Sequence, residues 1–347
     1  MIFALDKEHI LEHTRSLWEE LRGERLFLTG GTGFFGCWLL ESFLWANERL
    51  KLGAEVTVLT RQPQTFIAKA PELAQAASLT IWQGDIRNFV FPTGTYAYII
   101  HAAAEPQAEN PLLMLDTIVE GTRHVLDFAS QSGAKNFLLT SSGAVYGQQP
   151  TSLPRISEDY SGAPDMFDRN SAYGEGKRMA EHLCAQYISL NGLQPKIARC
   201  FAFVGPYLPL DQGYAIGNFI RDALQGGPIV IEGNGTPLRS YLYGADLAIW
   251  LWKILLQGKP LEPYNVGSEF EISVVDLANL VAGLAKSMLQ KMGTTPEVII
   301  RQPISAASPA PRYMPSTQKA RDMLALDQWI ALEPAINKTI QWYLPAE

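Results

Sequence analysis

The chain has 347 residues, 47 % of them hydrophobic and 18 % charged, with a formal net charge of −7. That balance supports one or two sizeable cores and excludes a disordered chain. The negative charge speaks against partners held by a global positive field, so neither nucleic acid nor a membrane surface is expected. Cys37, Cys184 and Cys200 are odd in number and lack CxxC spacing. This disfavours a disulfide framework and a metal site, and predicts a reducing, cytoplasmic setting.

The first 25 residues carry charges throughout and lack the apolar core of a secretory signal. They read as a helix with Asp6 as its N-cap and Ile10, Leu11, Thr14, Leu17, Trp18 and Leu21 on one face. Residues 26–29 follow as a short buried strand and 34–45 as a helix, which leaves Gly30, Gly33 and Gly36 in the strand-to-helix turn. Glycines there permit unusual backbone angles and let a pyrophosphate approach the amides at a helix N-terminus. A tight turn without a ligand is the plainer reading.

Further strands are expected over 54–61, 79–88 and 96–105, then a helix over 112–133 and a strand over 136–142. Such alternation specifies a parallel sheet with helices on both faces. Asp85 stands where it can meet an adenine or its ribose, or else simply makes the turn after Gly84. Ser142 ends the fifth strand with a hydroxyl able to bond a substrate oxygen. Tyr173 and Lys177, four apart on a predicted helix, emerge on one face. A lysine cation beside a phenol favours the phenolate and is expected to lower the tyrosine pKa.

These motifs, in this order, resemble the extended short-chain dehydrogenases/reductases, specifically the nucleotide-sugar epimerase/dehydratase group. The resemblance runs from Leu26 to about Tyr343. TGGTGFFG is similar to that family's glycine motif, GDIRN to its adenine-contacting turn, and HAAAE to its fourth strand end. TSSGAVYG resembles its serine motif and YGEGK its YxxxK, while RCFAFVGP and GNGTPLRSYLYGADLA resemble its substrate-domain signatures.

The resemblance implies an α/β fold: a Rossmann-type doubly wound parallel sheet with a smaller C-terminal α/β substrate domain. Residues 1–24 would form a helical extension, 25–198 with a return near 240–266 the dinucleotide-binding domain, and 199–239 with 267–347 the substrate domain. Two helices, 110–131 and 171–190, imply a homodimer. Residues 283–316 read as a mobile substrate loop.

It also implies a nicotinamide cofactor held by Gly30, Thr32, Gly33, Phe34, Phe35, Gly36, Arg61, Asp85, Ile86, Ala102, Ala103, Ala104, Tyr173 and Lys177. The substrate would be a nucleotide-diphosphate sugar met by Glu105, Ser142, Asn218, Arg239 and Arg312. Arg239 suits the diphosphate through its planar fork, with a surface arginine in a hairpin as the alternative. For Arg312, a second phosphate contact and a loop salt bridge are both open. His101 reads as structural, and Met166, Phe167 and Tyr207 as pocket wall or packing.

Three positions depart from the family pattern: Ala202 and Ile118 stand where asparagine is common, and Gly176 where a small hydroxyl residue is more frequent. Most NAD-binding members have an acidic residue at the end of the second strand. This chain has Arg61, so NADP(H) is favoured over NAD(H), with a solvent-facing arginine as the alternative. In the implied mechanism Tyr173 exchanges a proton with the sugar O4, Ser142 holds that oxygen, and Lys177 tunes the tyrosine and anchors the nicotinamide ribose. The family's dehydratases follow the strand-end hydroxyl with Asp-Glu, but here Gly143 and Ala144 follow Ser142. A 4-ketoreductase is therefore favoured, with a 4-epimerase as the alternative. An inactive cofactor-sensing protein is the reading from another class, and the intact Ser142, Tyr173 and Lys177 weigh against it.

Overall fold

In the computed structural model, residues 2–104, 110–289, 296–302 and 310–344 are described. The apolar runs form β1 (Arg25–Thr29), β2 (Glu55–Thr60), β3 (Leu79–Gln83), β4 (Tyr98–His101), β5 (Asn136–Ser142) and β6 (Gln194–Cys200). With the strand Pro263–Val266 beside β6 they make one seven-stranded sheet in which β1 is flanked by β2 and β4. Every pairing in it is parallel. Strand order reverses at β1, so the ends of β1, β2 and β4 open a crevice at the carboxyl edge, as in doubly wound sheets generally.

Alternation along β1 shows why the strand is apolar throughout. Leu26 and Leu28 face one core, with Trp38, Phe43 and Trp252, while Phe27 faces a second, with Phe89, Phe128 and Leu126. The helices up to residue 257 are α1 (Ala4–Thr14), α2 (Phe34–Leu50), α3 (Pro63–Lys69), α4 (Pro71–Ala74), α5 (Pro111–Gln131), α6 (Ala172–Asn191), α7 (Ala215–Leu224) and α8 (Gly244–Gln257); Val274–Leu289, Gln318–Leu324 and Leu332–Tyr343 follow. The first core lies under α2 and α8, the second under α5 and α6. Asn110 caps α5 by accepting from Leu112 N at 3.0 Å, with Pro111 in the first turn.

Several boundaries differ from the sequence reading. The third strand stops at Gln83 because Asp85 Oδ1 accepts from Arg87 N at 3.0 Å, a turn that ends the ladder. Asp6 is no N-cap: Phe3 holds that place, and Asp6 is 1 % exposed within the first turn. Its carboxylate instead accepts from Tyr243 Oη at 2.7 Å and pairs with Lys338. The expected apolar face is buried, although from Arg15 the helix tightens into a 3-10 turn. Residues 283–289 finish a helix, Val274–Leu289, rather than beginning a loop, and much of the rest of 283–316 lies outside the described residues. No helix among the described residues is long and apolar enough to cross a membrane.

Beyond the sheet, short strands pair locally: Phe203–Val204 with Leu242–Tyr243, and Ile229–Ile231 with Val298–Ile300. Leu238–Arg239 lies between Ile272–Ser273 and Arg312–Tyr313.

Candidate active site

The glycine turn is built for close approach. Gly30 has φ +71°, and a β-carbon there would meet the Ala102 carbonyl carbon at 2.5 Å. At Gly36 a β-carbon would meet Gly30 O and Gly31 Cα at 2.3 Å, so α2 can rest against β1 only without a side chain. Gly33 heads α2 with extended backbone, and its nearest contact would be Gly30 O at 3.4 Å. The turn opens into a cavity of about 330 Å³. Gly30, Thr32, Gly33, Arg61, Asp85, Ile86, Ala102, Ala103 and Ala104, all expected cofactor contacts, line it. Phe34, Phe35 and Gly36 do not; Phe35 instead packs edge-on against Phe203 at 5.0 Å. Glu105 lies outside the described residues.

Lys69, which the sequence reading missed, lines the same cavity and donates to Thr32 O at 2.9 Å. Asp85 both lines the cavity and makes the turn. Arg87 grips it through Nε and Nη2, each at 2.9 Å, and these bonds hold its carboxyl at about 2, with Arg61 adding a weaker pull. A glycine cradle at a helix N-terminus, with Arg61 and Lys69 on the wall, fits a dinucleotide diphosphate.

Along the same edge, Ser142 closes β5 and caps the short turn Gly143–Tyr146, accepting from Ala144 N at 3.1 Å. Tyr173 and Lys177 stand one turn apart at the start of α6. Glu181, a further turn on, ties that helix to the sheet: it accepts from Ser141 Oγ at 2.6 Å and from Arg199 at 3.0 and 2.7 Å. Lys177 Nζ lies 5.9 Å from the Tyr173 ring centre and donates to Thr140 O at 2.7 Å. Thr140 Oγ1 in turn donates to His101 O, next to the cavity wall at Ala102. His101 is structural: its ring is bonded to Thr29 and Thr122 hydroxyls, and burial pushes it down to about 3, a neutral imidazole.

Burial decides the ionisation of the pair. It pushes Lys177 down to about 8, against opposing influences from Cys200 and Glu181. It pushes the Tyr173 phenol well above its ordinary range, with Tyr313 adding to the rise and Ser142 opposing it. The lowering expected from Lys177 is therefore not the outcome in the protein alone, where desolvation of the phenolate dominates.

The substrate-side residues are more dispersed. Arg239 donates to Leu238 O at 2.9 Å and lies 6.0 Å from the Tyr313 ring centre. Arg312 makes the loop salt bridge, to Glu271 at 2.8 Å. Asn218 Oδ1 and Ser240 Oγ are buried with no hydrogen-bond partner among the described residues, which marks both as groups a ligand could satisfy. Met166 and Phe167 are 75 % and 90 % exposed. Tyr207 is packing: it donates to Glu41 at 2.8 Å and tilts against Trp342. Ile118 packs on Gly176, where a β-carbon would stand 3.2 Å from its Cδ1, so the two departures from the family pattern are mutually fitted.

One further residue reaches this centre. Tyr313 packs on Phe201 with ring centres 4.7 Å apart and planes tilted by 37°, and its hydroxyl lies where a side chain on Gly143 would point, 2.7 Å from a β-carbon there. Pairing of Arg312–Tyr313 with Leu238–Arg239, and of the residues that follow with Ile156 and Gln149, brings it in, and no local motif announces that contact.

The family model for the NAD dependent epimerase/dehydratase family matches residues 26–267. UDP-glucuronic acid decarboxylase 1 of Xenopus tropicalis is 29 % identical over 323 residues, spanning 92 % of this chain and 72 % of its own. UDP-glucuronic acid decarboxylase 6 of Arabidopsis thaliana is likewise 29 % identical, over 90 % of this chain and 86 % of its own. Among solved structures, UDP-glucose 4-epimerase from Thermotoga maritima with UDP-glucose superposes with a TM-score of 0.75 at 19 % identity, covering 92 % of this chain and 98 % of that one. dTDP-glucose 4,6-dehydratase from Bacillus anthracis with NAD gives 0.75 at 20 %, over 92 % and 96 %. The sheet order, the glycine cradle and the match over most of the chain lead to one conclusion: the chain belongs to the NAD-dependent epimerase/dehydratase family of extended short-chain dehydrogenases/reductases, whose members modify nucleotide sugars.

Proposed function

We propose that the protein reduces a nucleotide-linked 4-keto sugar, with NADP(H) as the favoured cofactor. The observation that carries this reading is the combination of Ser142, Tyr173 and Lys177 at one sheet edge with Gly143 and Ala144 beside them. Expelling water across C5 and C6 needs an acid and a base, and neither of those two residues can carry a proton. When bound, the nicotinamide supplies or takes the hydride.

In this mechanism the glycine turn, Asp85 and the cavity wall would hold the dinucleotide, and Lys177 would hold its nicotinamide ribose. Asn218, Arg239 and Arg312 take the diphosphate of the sugar nucleotide; Arg312 exchanges Glu271 for phosphate. Ser142 donates to the C4 oxygen and Tyr173 gives it a proton. The amine of Lys177 is charged below about 8 and neutral above it. Turnover is accordingly expected to fall as the pH rises through that value, and a pH–rate profile flat on either side of it would count against the role given to Lys177.

The assay is a panel of nucleotide sugars followed by NMR of the products. A 4-keto sugar nucleotide is expected to yield the 4-hydroxy product with one NADPH consumed per sugar. A 4-keto-6-deoxy product from any unmodified hexose would overturn the reading. A second reading is favoured by the decarboxylase relatives: oxidation of a uronic acid at C4 makes a β-keto acid that loses CO2 with protonation at C5, and this also needs no Asp-Glu pair. Release of CO2 from UDP-glucuronic acid would establish it in place of the first. Interconversion of the C4 epimers without net cofactor use would establish the 4-epimerase.

The cofactor preference rests on Arg61, at the cavity wall beside Asp85. Arg61→Asp is expected to weaken NADPH by about tenfold or more and NADH far less, because a carboxylate would repel a 2′-phosphate. Calorimetry showing equal losses would return Arg61 to a solvent-facing role. Assembly is a parallel proposal: Leu112, Leu113 and Met179 are exposed apolar side chains on α5 and α6, which supports pairing of these helices in a homodimer. Light scattering should give twice the chain mass at micromolar concentration, and a monomer mass would refute the pairing.

A further inference from the structure

The strand that ends at Ser142 and the helix that carries Tyr173 and Lys177 are fastened together in register. Lys177 Nζ donates to Thr140 O at 2.7 Å, and the next strand residue, Ser141, donates its hydroxyl to Glu181 at 2.6 Å, one helical turn further on. Glu181 also accepts from Arg199 Nε and Nη2 at 3.0 and 2.7 Å, a two-bond fork between side chains that are 13 % and 15 % exposed. The remaining arm of that guanidinium, Nη1, donates to Tyr146 Oη at 2.9 Å, and Tyr146 closes the turn that follows Ser142. Tyr146 in turn donates to Asn265 Oδ1 at 2.8 Å, and Asn265 Nδ2 is anchored on Ile156 O and Ser316 O. Ser142 is thus held on both flanks, at Ser141 and at Tyr146, from one carboxylate.

We propose that Glu181 is a positioning residue for the catalytic centre: its carboxylate fixes Ser142 relative to Tyr173 and Lys177 and is the counter-charge of the Lys177 ammonium. Tyr173, Lys177 and Glu181 follow one another at four-residue intervals along one side of α6. The other titratable groups around Lys177 are neutral near pH 7. Burial pushes the Tyr173 phenol and the thiols of Cys184 and Cys200 up, and the His101 imidazole down. Among these groups Glu181 alone is an anion, and it favours the charged amine against the desolvation that opposes it.

Stability by itself does not account for the arrangement. A buried ion pair can often be replaced by apolar side chains of similar volume at little cost to the fold. What such a replacement cannot supply is the pair of polar grips on either side of Ser142, or a negative charge one turn from Lys177. The inference rests on Ser142, Tyr173 and Lys177 being the reacting groups, whichever of the reactions at C4 they serve.

The first measurement uses the protein without cofactor or sugar, labelled with 13C at the lysine Cε, with the Lys177 resonance assigned by its loss in Lys177→Met. Glu181→Gln keeps the side-chain shape and removes the charge. It is expected to make the Lys177 amine about tenfold more acidic, so that its titration midpoint drops from about 8. Adding Arg199→Gln removes the unbalanced cation as well and should bring the midpoint part of the way back. An unmoved midpoint in folded Glu181→Gln would overturn the proposal. The second measurement is steady-state kinetics on the sugar nucleotide that the enzyme turns over. Ser141→Ala and Tyr146→Phe each release one flank and leave the ion pair, and each should lower kcat about threefold to tenfold with KM nearly unchanged. Glu181→Met combined with Arg199→Met should melt close to the native protein yet lose about tenfold or more in kcat, and Ser141→Ala should cost nothing further in that background. Native kcat in the combined variant, or an undiminished loss from Ser141→Ala there, would reduce Glu181 to a structural residue and overturn the proposal. Should the combined variant not fold, native kcat in both Ser141→Ala and Tyr146→Phe overturns it without that variant. If no sugar nucleotide is turned over but the Lys177 midpoint moves as stated, the functional reading fails and the counter-charge stands.

Discussion

Tyr173→Phe is expected to lower turnover by about 10²–10⁴-fold while leaving cofactor affinity within a few-fold. The ring stays in place beside Lys177, and only the transferable proton is lost. Burial keeps this phenol protonated across the neutral range, which suits an acid that must hold its proton until a C4 oxygen arrives. Steady-state kinetics with calorimetry of cofactor binding separate the two effects. Near-normal turnover in the variant would remove Tyr173 from the chemistry altogether.

The glycines of the turn should separate just as sharply. Gly36→Ala places a β-carbon 2.3 Å from backbone atoms of Gly30 and Gly31, which cannot swing aside as a side chain would. We expect a destabilisation of about 3 kcal/mol, at the upper end for overpacking, together with loss of cofactor binding. Gly33→Ala meets only Gly30 O, at 3.4 Å, in a backbone conformation open to any residue. Its fold should survive, and its cost should appear as weakened dinucleotide binding, because Gly33 lines the cavity at the head of α2. Thermal unfolding alongside calorimetry tests the pair: equal loss of stability in both variants would contradict this division of roles.

What was legible in the sequence was whatever a short stretch encodes by itself. The fifth strand runs over residues 136–142 as its pattern indicates, and Ser142, Tyr173 and Lys177 converge because a strand end and one helix face place them together. The parallel sheet could be read because apolar runs alternate with helical periods. Strand ends were less legible where a polar side chain ends the ladder, as Asp85 does through its bonds to Arg87. Partners distant in sequence were not legible at all. Nothing near Asp6 indicates Tyr243 or Lys338, and nothing near Gly143 indicates Tyr313. The ionisation of Tyr173 was misjudged in direction because a four-residue spacing reveals the neighbouring cation but not the desolvation around both groups.

The first helix carries an implication for how the molecule is made. Helix α1 lies on α2 and α8. Lys7 and Glu8 pair with Glu41 and Arg49 of α2, but other polar anchors are far along the chain: Asp6 to Tyr243 and Lys338, and His9 to Asp246, which also accepts from Trp329 N and Ile330 N. The Asp6 to Lys338 pair spans 332 positions. During synthesis the sheet strands through β5 have emerged long before residue 338 is joined, so α1 can meet α2 early but must wait for α8 and for the partners of its buried Asp6 carboxylate. Early-emerging sequence is thus among the last to consolidate. A nascent chain released before residue 338 would expose the surface where α1 belongs, a state for which chaperones and proteases would compete.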